Sequence, residues 1–163
     1  MALVVRGRSK CRLCEEVLHD NDEIVAFSAF MVNELDPIHG FSDSAVHKQC
    51  FEEDPRRDRV SQCWADWLES VSPGNRICSI CTERVTVEPD HLYVSRFTLN
   101  GEEPGASYES RHYHINCLKE WDDIGLFLHA IQEYACSSQW KGDYLVRLLQ
   151  HLRTKGISRP RAD

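Results

Sequence analysis

The feature that most constrains this chain is that it repeats itself. Displaced by 67 residues, Cys11 falls on Cys78, Cys14 on Cys81, His47 on His114 and Cys50 on Cys117, with no gap. Five further identities fall in the same 40-residue window: Glu16/Glu83, Ser28/Ser95, Phe30/Phe97, Asn33/Asn100 and Pro37/Pro104. A self-match of this kind marks a duplicated unit, so the fold must be built twice from one plan. Each copy reads Cys-x2-Cys, then 32 residues, then His-x2-Cys.

The spacing has a chemical reason. A zinc ion takes four soft or borderline donors at the corners of a tetrahedron, at about 2.0–2.3 Å. Two cysteines two residues apart reach one ion from a tight turn, and a second pair does so from the first turn of a helix. The long middle segment must fold back between them. We therefore expect two structural Zn2+ ions, one held by Cys11, Cys14, His47 and Cys50, the other by Cys78, Cys81, His114 and Cys117. Four protein ligands leave no open position, whereas catalytic zinc keeps one for water or substrate. His112, two residues before His114, aligns with Ala45 and is read as a bystander. Cys63 and Cys136 have no repeat partners and are expected to be core thiols.

The middle segments are β-rich. Ile24 to Val32 and His91 to Leu99 read as strands, the second closed by Asn100-Gly101, a strong turn signal. Return strands are expected from Phe41 to Val46 and from Tyr108 to Tyr113. A cysteine knuckle, a hairpin and a helix bearing the last two ligands resembles the treble-clef zinc folds. The ligand order is similar to the poly(ADP-ribose) polymerase-type finger and, more distantly, to half of a LIM domain. The resemblance covers residues 11–50 and 78–117, and it implies a zinc-stapled fold without implying one function.

The expected class is α+β: two tandem hairpin-plus-helix zinc modules with extra C-terminal helices. Module one spans 11–72, module two 78–136, and a last helix 138–156, packed as one unit. Asp54-Pro55 reads as a helix start, followed by Val60, Cys63, Trp64, Trp67, Leu68 and Val71 at helical spacing. A longer helical pattern runs from Leu118 to Ala135, and another carries Tyr144, Leu145, Leu148, Leu149 and Leu152.

Charge narrows the function. The formal net charge is −7. Residues 11–54 hold eleven acidic and two basic side chains, and residues 78–136 hold ten acidic and four basic. Zinc does not offset this, since a dication with three thiolates leaves each site near about −1. Nucleic-acid affinity comes largely from lysine and arginine neutralising phosphates, and polymerase-type fingers that read DNA breaks are basic. We therefore expect a non-catalytic interaction module that binds a basic protein, such as a toxin or enzyme domain, in the manner of an acidic inhibitor or immunity protein. The alternative is a nucleic-acid-binding finger protein using its basic ends, among them Arg153, Lys155, Arg159 and Arg161. No enzymatic constellation stands out: Ser42-Asp43-Ser44 lies near His47, but that imidazole is already committed to zinc. No apolar run reaches the roughly 18 residues a membrane span needs, and Met1 to Val5 is too short for a secretory signal. Together with the cysteine pattern, this leads us to expect a cytoplasmic setting, where thiols bind metal rather than pair as disulfides.

Overall fold

The computed structural model describes residues 3–158. It holds two small antiparallel sheets and five helices. In the first half, β1 (Ile24–Ala26) pairs with β2 (Ala45–His47), and α1 (Lys48–Glu52) and α2 (Arg57–Val71) follow. In the second half, β3 (His91–Val94) pairs with β4 (Arg111–His114), followed by α3 (Ile115–Glu120) and α4 (Ile124–Ala135). The pair Ile24↔His47 and the pair His91↔His114 are related by the same 67-residue displacement seen in the sequence. α5 (Tyr144–Thr154) closes the described chain and has no counterpart in the first half.

The strands are shorter than the β-rich runs predict. Backbone pairing runs on past Ala26, with Phe27 N–H donating to Ser44 O (2.8 Å) and Asp43 N–H to Ser28 O (3.2 Å), and the chain then leaves the ladder because its next amides find other acceptors. Phe30 and Met31 both donate to Ser42 Oγ, at 3.0 and 3.1 Å. In the second module the equivalent amides, of Phe97 and Thr98, donate to one carboxylate oxygen of Glu109, which stands at the place of Ser42. Buried backbone donors must be satisfied somewhere, and here side chains do it instead of a neighbouring strand. Each strand-to-strand connection then runs through a 3-10 turn, His39–Phe41 or Ala106–Tyr108, rather than a two-residue hairpin turn.

Helix boundaries also differ from expectation. α2 begins at Arg57, and Asp54 instead accepts the Arg56 amide (2.8 Å) and pairs with its guanidinium (2.7 Å) in the turn before it. The helical pattern from Leu118 to Ala135 is two helices, broken where Trp121 takes an extended conformation. Cys63 is half-buried, and Cys136 is exposed rather than in the core.

Each half has its own apolar core. The first gathers Leu18, Phe27, Phe30, Ile38, Phe41, Val46 and Val60, with Trp64 of α2 edge-on to Phe27 at 5.1 Å between centroids. The second gathers Leu92, Phe97, Tyr113, Phe127 and Ile131 and is extended by Leu145, Leu148 and Leu152 of α5. A polar seam joins the halves. Ser70 of α2 meets Tyr93 of β3 (3.0 Å), and its carbonyl accepts His112 Nε2 of β4 (2.8 Å). Asn33 donates from Nδ2 to Phe97 O (2.9 Å) and Gln139 O (2.8 Å). No helix among the described residues is long and apolar enough to cross a membrane.

Candidate metal centres

The first two cysteines of each cluster sit on a knuckle closed by the backbone. Cys11 N–H donates to Glu16 O (2.8 Å) and Glu15 N–H to Cys11 O (2.9 Å); Cys78, Glu83 and Thr82 repeat both bonds at the same distances. The turn needs a left-handed residue just after the second cysteine, which is Glu15 (φ 64°) in one module and Thr82 (φ 63°) in the other. A β-branched residue is strained there. Thr82→Gly is therefore expected to raise stability by about 0.5–1 kcal/mol, the left-handed penalty relieved less the extra chain entropy of glycine; urea denaturation of the metal-loaded protein checks it.

The other two ligands come from the strand-to-helix junction. His47 is the last residue of β2, and Cys50 lies in the first turn of α1; His114 and Cys117 hold the same places on β4 and α3. The structure brings Cys11, Cys14, His47 and Cys50 into one group and Cys78, Cys81, His114 and Cys117 into another, with all donor atoms in a group within 4.8 Å of one another. Imidazole Nδ1 is the facing nitrogen in both. It lies 3.4 Å from Cys14 Sγ and 3.9 Å from Cys50 Sγ, and 3.4 and 3.8 Å from Cys81 and Cys117 in the second group. A tetrahedral ion with bonds of about 2.0–2.3 Å separates its ligands by about 3.4–3.8 Å, so both groups fit a four-coordinate metal. His112 points away from the cluster, toward His91 (2.8 Å) and Ser70, and all eight cysteines are free of disulfides.

The sulfurs are not equivalent. Burial alone would push Cys11 up, but N–H donation from the backbone of Cys14, His47 and Leu13 outweighs it and brings the thiol down to about 6. Cys78 is brought down to about 7 in the same way. Burial, and then the neighbouring sulfurs, push Cys50 up to about 11 and Cys117 up to about 12. Each cluster thus favours one thiolate, and a dication would draw the remaining protons off as it binds.

The two centres differ behind the imidazole. His47 Nε2 lies 3.2 Å from Asp22 Oδ2. With Nδ1 facing the metal, Nε2–H donates to this carboxylate, which fixes the ring and strengthens it as a ligand. In the second module, Pro89 stands at the repeat position of Asp22, and no carboxylate among the described residues lies within hydrogen-bond distance of His114 Nε2. The role of Asp22 is invisible in the sequence because the repeat breaks at that position. Asp22→Asn is expected to weaken metal binding at the first centre by roughly 10- to 100-fold and to leave the second unchanged, as a competitive chelator titration would resolve.

The chain matches no family model, no curated protein and no solved structure.

Proposed function

We propose that both centres hold zinc as structural ions and that the protein is a non-catalytic interaction module for a basic protein partner. The observation that carries the first part is the donor set: three sulfurs and one imidazole converge on each point, a set that selects zinc over harder cations and fills its coordination shell. A knuckle, a short hairpin and a helix in that order support a treble-clef reading of each module. A filled shell gives substrate no place on the metal, which supports a role in folding and not in chemistry.

The second part is supported by charge. A chain of net charge −7 attracts a cationic surface and speeds the encounter, while buried apolar anchors would supply the affinity. An inhibitor that covers the basic cleft of a toxin or nuclease is the form of this reading that best uses a small acidic body. Of the basic residues that the nucleic-acid alternative needs, Arg159 and Arg161 lie outside the described residues. Passing host lysate over the zinc-loaded chain tests the reading. A basic protein retained in stoichiometric amount, released by salt and indifferent to nuclease, is the expected result. Retention of nucleic acid alone would overturn it.

A further inference from the structure

The duplication extends beyond the ligands to the helices behind them: α2 starts at Arg57 and α4 at Ile124, again 67 residues apart. This allows one module to be read against the other. In the first, the carboxylate of Asp36 is fully buried, and both oxygens are used. Oδ1 accepts the Ile38 amide (2.9 Å), and Oδ2 accepts Arg59 Nη2 (2.7 Å) from the first turn of α2. Arg59 lies partly in solvent and reaches inward to cover the acid.

In the second module the equivalent acid is Glu103, 9% exposed. Its Oε2 accepts the Asn100 amide (3.3 Å), while Oε1 is buried with no hydrogen-bond partner among the described residues. At the position of Arg59 stands Leu126, a large apolar side chain that is 65% exposed. The loop bearing Glu103 rests on the same stretch of α4: a Cβ built on Gly105 would lie 3.9 Å from Ala130, one turn beyond Leu126. A buried carboxylate oxygen without a donor is costly, and an exposed leucine at the place that Arg59 holds in the first module leaves apolar surface in water. A single side chain would relieve both if it had an apolar stem to lie along Leu126 and a charged donor to reach Glu103.

We propose that this is the docking point for an arginine of the partner, which supplies in trans what Arg59 supplies in cis to the first module. The proposal rests on the reading that the partner is a basic protein. Arginine is favoured over lysine because its flat, weakly hydrated guanidinium enters a buried carboxylate site more readily than an ammonium. The last torsion of a glutamate is soft, so Oε1 can turn toward an incoming donor.

The test uses the zinc-loaded full chain and a blocked Gly-Arg-Gly peptide, with lysine and citrulline counterparts, followed by amide chemical shifts. The arginine peptide is expected to give saturable shifts confined to residues 100–105 and 124–130, the lysine peptide to bind at least about threefold more weakly, and the citrulline peptide to give none. Leu126→Arg is expected to abolish the response, because the guanidinium is then already present, and to raise the thermal midpoint by about 2–4 °C. Glu103→Gln is expected to abolish the response without that rise. No localised response from the unmodified chain, or an undiminished one from Leu126→Arg, would overturn the proposal. Lysate capture separates the two readings: a basic protein held equally by the unmodified chain and by Leu126→Arg removes the anchor and keeps the partner, whereas peptide binding without any captured basic protein does the reverse.

Discussion

Stripping the metal is expected to unfold the protein. Each module has only two strands of three or four residues, and its two ligand pairs come from separate elements, the knuckle and the strand-to-helix junction, joined otherwise by a few bonds such as Arg12 N–H to Ala45 O (3.0 Å) and Ser79 N–H to His112 O (2.8 Å). A metal held by each group would be the cross-link between them. Apparent binding energies of structural zinc in small modules are about 10–16 kcal/mol, as large as the whole net stability of an ordinary domain, about 5–15 kcal/mol. Elemental analysis should find two ions per chain, and a strong chelator at neutral pH should collapse the near-ultraviolet circular dichroism. Cys11→Ala or Cys78→Ala should each lower the metal content to one ion and expose the corresponding core to a hydrophobic dye. Cys63→Ser serves as the control, since that thiol is in neither group and should keep both ions. A chain that retains its tertiary signature with both ions removed would show that the apolar cores suffice alone.

The ligand sets are legible in the amino-acid sequence because the duplication doubles the signal: four ligands that recur in register leave little room for coincidence. The strands are less so. Ile24 to Val32 has the composition of a strand, yet the regular ladder is Ile24–Ala26 and backbone pairing ends at Ser28, because Ser42 takes the Phe30 and Met31 amides from across the loop. No local propensity reports such a bond. The helices behind the ligands are the part of the repeat where identity is weakest, since Arg59 faces Leu126 and Trp64 faces Ile131 in alignment. The backbone frame is nonetheless preserved, and so is its strain. Among the described residues, the four non-glycine residues with positive φ fall into two repeat pairs, Glu15 with Thr82 and Asp43 with Ser110. Side chains changed while the path of the chain did not, which is why identity fades sooner than structure.

Asn33 and Asn100 are identical in the alignment, and only the structure separates them. Both accept an amide two residues on, Leu35 and Glu102 respectively, each at 3.0 Å, which is the local turn the shared residue supports. Asn33 alone is fully buried and does more. Its Nδ2 holds the carbonyls of Phe97 and Gln139, and its Oδ1 also receives the Lys141 amide (3.3 Å), so a loop of the first module is fastened to two segments of the second. Asn33→Ala would leave the Phe97 carbonyl without that donor in a buried site and would remove one bond each from the partly buried Gln139 carbonyl and the Leu35 and Lys141 amides. At about 1–3 kcal/mol per unsatisfied group, with partial relaxation, the expected loss is about 2–4 kcal/mol, or about 5–12 °C in the thermal midpoint. Asn33→Asp keeps the shape but turns an acceptor toward two carbonyl oxygens, and it should cost at least as much at neutral pH. Asn100→Ala, which removes one exposed bond, should stay within about 0.5–1 kcal/mol of the parent. Hydrogen exchange supplies the second readout: in Asn33→Ala, protection should fall at Glu34 and Lys141 before it falls within α5. Equal losses from the two asparagines would mean that the seam between the modules is held by other contacts and that Asn33 is only a turn residue.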